Sequence, residues 1–486
     1  MFLGIDIGTS SAKAVLTDVD GGVAAVASRP CSVSRPHPLW SEQEPEDWVA
    51  AAVAAVDELA ARLPDAVGAV AGIGFSGQMH GAVLLGQDGR VLRPAILWND
   101  GRSHRQCAAL EAALPGFRSL SGNIAMPGFT APKLLWVAEE EPEVFAAVAK
   151  VLLPKAYVRW RLTGAMVEEM SDASGTLWLD VARRDWSDEL LAVTRLTRAH
   201  MPDLAEGSAP VARLSPDFAQ RWGMKAPPVV AGGAGDCAAS AVGLGAITPG
   251  DAFLSLGTSG VVWTTTDRFL PNPALAVHAF CHALPGVWHQ MGVMLSAAAS
   301  LAWAATALGA GAGAGEAELL APLGDTVDGP SPVAFLPYLS GERTPHNDAT
   351  VRGLFAGLAA DTGRDALVQA VLEGVAFAAR DNLAALGQRP ESIDLAGGGS
   401  RSRLWARICA DALGLTVHRI EDGEVGAALG AAHLGRMAAT GADPATVCRK
   451  PRRLESFSPD PVRADAYTRA WERWRRLYPL AKEFAS

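Results

Sequence analysis

Two segments of this chain repeat one another at long range. Residues 3–18 read LGIDIGTSSAKAVLTD and residues 254–267 read LSLGTSGVVWTTTD. Gly8-Thr9-Ser10 returns 249 positions later as Gly257-Thr258-Ser259, and Thr17-Asp18 returns at the same offset as Thr266-Asp267. In each copy an apolar run enters and leaves Gly-Thr-Ser, the pattern of two short strands joined by a tight turn. The chain has no short-period repeat of the solenoid kind, so the duplication implies one large domain used twice. At 486 residues the chain is also too long for one ordinary core.

Two halves, 1–245 and 246–486, are predicted, joined near GLGAITPG at 243–250, where Gly and Pro interrupt the pattern. Each half starts with β-rich alternation around its GTS element and continues into Ala-rich helical segments. Residues 45–63 illustrate the helices. Pro45 with Glu44, Glu46 and Asp47 marks a start, and Trp48, Val49, Ala52, Val53 and Val56 recur at helical spacing. Strands alternating with helices predict an α/β fold with largely buried sheets.

The formal charge of −10 excludes nucleic acid or an anionic membrane as the main partner, so any phosphate compound must be held locally by amides and a few cations. Six scattered cysteines without CxxC spacing fit a reducing compartment. His278-x-x-Cys281-His282 reads as ordinary packing, because no second cluster completes a metal site. The uncharged run from His289 to Gly315 is mostly Ala, Gly and Ser, and predicts a buried helix ending in the loop GAGAGAG rather than a membrane span. With no signal-peptide pattern at the start, a cytoplasmic protein is expected.

Gly8 and Gly257 let the backbone turn tightly, leaving the next amides and hydroxyls free to donate to phosphate oxygens. Two such hairpins at the heads of two halves can grip a polyphosphate from both sides. Asp6, between Ile5 and Ile7, is costly to bury without a positive partner, and magnesium reached through its waters is one. The other reading is a strand-end carboxylate bonding backbone amides. The second copy carries Ser255 there. VVAGGAGDCAASAVG (229–243) predicts a strand, a Gly-rich turn and a helix, with Asp236 able to point into a cleft or to serve as an ordinary cap. DLAGGGSRSRLWARICADALG (394–414) repeats that pattern, and its Gly397-Gly398-Gly399 surface suits an adenine or ribose ring. No Walker sequence occurs.

In this order, DIGTSSAK, RPHPLWSEQEPEDW, SGQMHG, RPAILWNDGR, MPGFTAPKLLWVAEE, MSDASGTLWLD, GGAGDCAAS, LSLGTSG, FLPYLSGERTPH and AGGGSRS resemble the FGGY family of carbohydrate kinases, within the actin-like ATPase superfamily. The resemblance covers nearly the whole chain. It implies two actin-like (ribonuclease H-like) domains around a nucleotide and sugar cleft. It implies ATP-dependent phosphorylation of D-xylulose to D-xylulose 5-phosphate, since QMHG and the run from Met126 to Trp136, which carries the family's Lys133-x-x-Trp136 pattern, mark the xylulose-acting members. By the same likeness Asp236 matches the catalytic base, with Asp6 the metal-side acid, and Asp6 and Asp236 hold Mg2+. Met79 and His80 match the pentulose-binding pair, beside Asp236 and Cys237. Gly8, Thr9, Ser10 and Lys13, with Gly257, Thr258 and Ser259, match the phosphate-binding elements, and Gly398, Gly399 and Arg401 the adenosine segment. A homodimer is expected on the same ground. One departure stands out: Cys237 occupies a place where these kinases usually carry Asn, and a thiol hydrogen-bonds more weakly than a carboxamide. That leaves kinases for ribulose, arabinitol or glycerol as alternatives, with an actin-like ATPase lacking a sugar substrate as a more distant one.

Overall fold

The computed structural model describes residues 1–308, 315–421 and 426–485. Strand β1 (Phe2–Ile7) turns through Gly8-Thr9-Ser10 into β2 (Ser11–Thr17), followed by β3 (Val23–Pro30). Helix α1 (Pro45–Arg62) starts at its proline, carries Glu46 and Asp47 in the first turn and Arg62 in the last, and buries Trp48, Val49, Ala52, Val56 and Leu59. Strand β4 (Gly72–Gly77) comes next. A long excursion then holds α2 (Pro154–Thr163), before the chain returns through β5 (Pro210–Arg213), β6 (Val229–Ala231), β7 (Ala234–Gly235) and α3 (Asp236–Gly243). The sheet order is β5-β6-β4-β1-β2-β3, with β7 also pairing with β4. Pairs β1–β4 and β6–β4 are parallel, while β1–β2 and β2–β3 are antiparallel.

The second half repeats this plan. Its strands are β8 (Ala252–Leu256), β9 (Gly260–Thr266), β10 (His278–Cys281) and β11 (Trp288–Met294). Helix α4 (Arg364–Leu386), strand β12 (Ser392–Ala396), helix α5 (Arg403–Leu413), strand β13 (Thr416–Ile420), helix α6 (Gly426–Thr440) and strand β14 (Arg453–Phe457) follow. The order β10-β11-β9-β8-β12-β13-β14 keeps the antiparallel hairpin beside two parallel strands, with an antiparallel strand at the far edge as in the first sheet. The predicted duplication is therefore present in strand order as well as in sequence.

One expectation needs correction. The run from His289 onward is not one helix: His289–Met294 completes β11, pairing with β9 and β10, and the helix is confined to Ala298–Ala307. The alternation HQMGVM serves a strand because the sheet needs a partner there. The Gly-Ala loop lies outside the described residues at 309–314. Helix α6 belongs to the second half in sequence and packs on the first sheet. A Cβ on Gly74 of β4 would sit 1.8 Å from the Ala431 carbonyl oxygen, and one on Gly4 of β1 would sit 1.9 Å from that of Ala428. A Cβ on Gly430 would meet the Ala239 carbonyl oxygen of α3 at 1.8 Å. Backbone lies on backbone there because the sheet surface carries glycines and the helix surface nothing larger than alanine. Among the described residues no helix is long and apolar enough to cross a membrane.

Replacing Gly74 with Ala is expected to cost about 1–3 kcal/mol of overpacking. Urea unfolding checks it, with Gly398→Ala, whose Cβ meets no described atom within 4 Å, expected to leave the midpoint unchanged.

Candidate active site

The first hairpin is built on close approach and not on left-handed backbone: neither Gly8 nor Gly257 has a positive φ. The Gly8 amide donates to the Ser11 carbonyl at 3.0 Å, and a Cβ on Gly8 would meet that oxygen at 2.9 Å. Asp6 lies across β1–β4 from Ser76, whose hydroxyl donates to Asp6 Oδ1 at 2.9 Å, and across β1–β2 from Lys13. Burial raises the Asp6 carboxyl, against the pull of Ser76 and Lys13.

The turn is held by side chains that the sequence reading left without a role. Buried Trp48 donates to Gln43 Oε1 at 3.0 Å, and Gln78 Nε2 donates to the same oxygen at 2.9 Å. Gln43 Nε2 donates to the Thr9 carbonyl at 2.8 Å, and the Thr9 hydroxyl donates to Gln78 Oε1 at 3.0 Å. The half-exposed Trp98 indole donates to Thr9 Oγ1 at 2.9 Å. Glutamines 35 residues apart form one amide chain, and neither shows a local signal beyond its place in EQEPEDW and SGQMHG.

The second hairpin is held differently. Amides of Ala297, Ala298 and Ala299 donate to the carbonyls of Thr258 and Gly257 at 2.8–3.2 Å, so the start of the helix Ala298–Ala307 backs the turn. Gly397, at φ +77°, lies on it as well, since its Cβ would sit 2.9 Å from the Leu256 carbonyl oxygen. Gly399 packs on Leu256 in the same way, whereas Gly398 is exposed. Ser402 then caps α5 by accepting the Trp405 amide at 3.2 Å. Ser10, Thr258, Ser259 and Arg401 are exposed, and Gly8, Thr9 and Lys13 are half-buried.

Asp236 opens α3 on the far side of a glycine turn in which Gly233 has φ +86°. Its Oδ1 accepts the Cys237 amide at 2.7 Å. Burial, and then the charge of Asp6, push the Asp236 carboxyl up to about 6. That coupling brings together the two carboxylates that the sequence separates by 230 positions. Two half-buried carboxylates, one of which raises the other's proton affinity, suit a hard divalent cation with oxygen ligands, so Asp6 and Asp236 fit the expected ion.

Met79 is buried and His80 half-buried beside this turn, in space that glycines provide. A Cβ on Gly235 would meet Met79 Sδ at 2.8 Å, and one on Gly175 would meet His80 Nδ1 at 2.5 Å. His80 Nδ1 lies 2.9 Å from the Gly175 carbonyl oxygen, which can only accept, so Nδ1 carries the proton and Nε2 is left as an acceptor. Burial first, and then Lys133, lower the imidazole to about 3, so it is neutral at pH 7. The backbone of His80 is left-handed at φ +70°, and its carbonyl accepts Lys133 Nζ at 2.7 Å and Thr130 Oγ1 at 3.2 Å. Lys133, fully buried, also donates to the Gly128 carbonyl at 2.8 Å, tying the SGQMHG loop to the Met126–Phe129 loop. The Phe129 ring stands edge-on to His80 at 4.7 Å and to His278 of the second half at 5.4 Å. His278 contacts Asn123 Oδ1 at 3.1 Å, Cys281 Sγ reaches the Val181 carbonyl and His282 Nδ1 accepts the Leu284 amide, so these three side chains have separate partners.

Two lobes of matching topology, each opening on a Gly-Thr-Ser hairpin, define the actin-like (ribonuclease H-like) class of fold. The chain belongs to the FGGY family of carbohydrate kinases: the N-terminal domain model of that family matches residues 1–243 and the C-terminal domain model residues 252–439. It is 49% identical to the xylulose kinase of Escherichia coli (strain K12), over 98% of each chain. It is 34% identical to that of Bacillus subtilis (strain 168), over 99% of this chain and 97% of the relative. A solved "xyloylose kinase" from Brucella ovis superposes with a TM-score of 0.96 at 51% identity, covering 99% of each chain. As a carbohydrate kinase the protein uses ATP as a substrate.

If the amide chain orders a phosphate-gripping turn, Gln78→Leu raises the KM for ATP by about two- to tenfold, the worth of one hydrogen bond. Steady-state kinetics with ATP varied at saturating sugar check this, and an unchanged KM removes the hairpin from ATP binding.

Proposed function

We propose that this kinase transfers the γ-phosphoryl group of ATP to D-xylulose, forming D-xylulose 5-phosphate. The observation that carries the reading is Asp236, a proton-hungry carboxylate beside Asp6, the first hairpin and the Met79–His80 pair, in a chain 49% identical end to end to a xylulose kinase. A sugar hydroxyl is not an anion at neutral pH, so attack on phosphorus requires a proton acceptor. Asp236 fills that role and contributes about 10²–10⁴ in rate.

His80 offers bare Nε2 to a sugar hydroxyl, and Met79 and Cys237 complete the wall around Asp236. The hydroxyls and amides of Gly8, Thr9 and Ser10, and of Gly257, Thr258 and Ser259, bind the phosphates, with Lys13 adding positive charge beside Asp6. Gly398, Gly399 and Arg401 carry the adenosine. Asp6 and Asp236 hold Mg2+, which neutralises phosphate charge when bound. The larger part of the rate comes from alignment and charge stabilisation. The functional division falls between residues 245 and 246, with α6 returning to the first lobe. We further propose a cytoplasmic homodimer. The six free cysteines support a reducing compartment, and light scattering on purified protein tests the dimer.

Asp236→Asn is expected to lower kcat at least 10²-fold while leaving ATP affinity within about twofold. Because the folded protein holds the Asp236 proton more tightly than a free carboxyl does, the base form is lost as pH falls. In the wild type kcat/KM for xylulose should therefore decline tenfold per pH unit below about 6. Coupled assays with xylulose, ribulose, arabinitol and glycerol test the substrate. Faster turnover of another sugar overturns xylulose, and ATP hydrolysis indifferent to every sugar overturns the kinase mechanism. Cys237→Asn, restoring a stronger hydrogen-bonding group, is expected to lower the xylulose KM about two- to tenfold.

A further inference from the structure

Behind the turn that presents Asp236 lie five ionisable side chains that the proposed mechanism does not use. Lys155 and Arg159 come from α2, Glu168 and Glu169 from the strand Val167–Glu169, and Asp172 from the helix Met170–Ser174, and none is more than 1% exposed. Lys155 Nζ stands 2.5 Å from Glu168 Oε1, 3.5 Å from Glu169 Oε1 and 3.4 Å from Asp172 Oδ2. The three carboxylates are close enough to ligate a cation, but the ammonium already takes that place. Buried charges of this number are expensive and seldom make a fold more stable than apolar packing would. Their presence calls for another reason.

The reason lies in where they reach. The Gly235 amide, one residue before Asp236, donates to Glu169 Oε1 and to Ser171 Oγ, each at 3.1 Å. Arg159 donates to the carbonyl of Gly232, at the other end of the same turn, and to that of Val167. The turn has no slack, since a Cβ on Gly233 would lie 2.3 Å from the Phe75 carbonyl oxygen and 3.3 Å from Lys155 Cδ. Glu169 is itself fixed, accepting Ser171 N at 2.7 Å, Ser171 Oγ at 2.8 Å and Asp172 N at 2.8 Å. A carbonyl pinned by a guanidinium and an amide pinned by a carboxylate fix both ends of the four-residue arm that carries the base.

We propose that Arg159 and Glu169 are positioning residues for Asp236, holding the Gly232–Gly235 turn so that its carboxylate meets the sugar hydroxyl, with Lys155 supplying the countercharge that keeps Glu169 an acceptor. This rests on the reading of Asp236 as the base. A displacement near 1 Å at a reacting group costs about 10²-fold in rate. Glu169→Ala and Arg159→Met are therefore expected to lower kcat about 10²-fold while KM for xylulose and for ATP stays within about threefold. Calorimetric titration with xylulose should still count one site per chain. Glu169→Gln keeps an oxygen opposite the Gly235 amide and should recover kcat to within about tenfold of wild type, and Ser171→Ala, which removes the weaker anchor, should lower it about threefold.

The double variant Asp236→Ala/Glu169→Ala should be no slower than Asp236→Ala alone, because a residue acting through the base has nothing left to act on. The proposal is overturned by near wild-type kcat in Glu169→Ala, by losses that track only the fraction of competent sites, or by additive losses in the double variant. Should Glu169→Ala fail to fold, Glu169→Gln and Ser171→Ala decide by the same split between kcat and KM. A wild-type protein inactive on every pentulose would refute the functional reading instead.

Discussion

The contact on which the rest of the molecule depends is backbone against backbone. Helix α6 leaves the second lobe and lies on β1 and β4 of the first, where Gly4, Gly72 and Gly74 offer no side chains and Ala428, Ala431 and Gly435 present their carbonyls. Gly430 and Gly243 continue the seam onto α3. Apolar burial alone would allow many sheet-to-helix distances. Close-packed carbonyls and missing Cβ atoms allow one. That distance fixes the ends of β1 and β4 relative to the start of α3, and so fixes Asp6, Ser76 and Asp236 in one place.

The working groups then sit at the carboxyl ends of parallel strands, where an open α/β sheet leaves a crevice. Their chemistry is set by environment more than by residue type. Asp236 is pushed up to about 6 by burial and by Asp6, while His80 is pushed down to about 3 by burial and by Lys133. One is a carboxyl poised near neutrality and the other an imidazole that is neutral at pH 7. Behind both stand buried basic side chains, Lys133 on the carbonyls of His80 and Gly128 and Arg159 on the carbonyl of Gly232, which tie the loops together.

Much of this was legible in the chain. The repeated Gly-Thr-Ser lines announced two lobes, and sheet order bears that out strand by strand. The Gly-rich turns before Asp236 and Ser402 read correctly as strand-to-helix junctions, because glycine runs and capping residues act locally. The amide chain from Trp48 through Gln43 and Gln78 to Thr9 was not legible, since all its links but the one from Trp48 to Gln43 join residues 34–69 apart and an amide side chain carries no pattern. Nor was the strand at His289–Met294, where pairing with β9 and β10 overrode a composition that suggested helix.

The sequence by itself determined the duplication, the two Gly-Thr-Ser hairpins and the α/β class, because these follow from local periodicity and glycine placement. Tertiary structure alone decided that α6 would seal the first lobe, that Asp6 and Asp236 would share one field, and that Arg159 and Glu169 would grip the turn between them. Those are contacts between segments far apart in the chain, and distance along a sequence says nothing of which surfaces fit closely enough to exclude water.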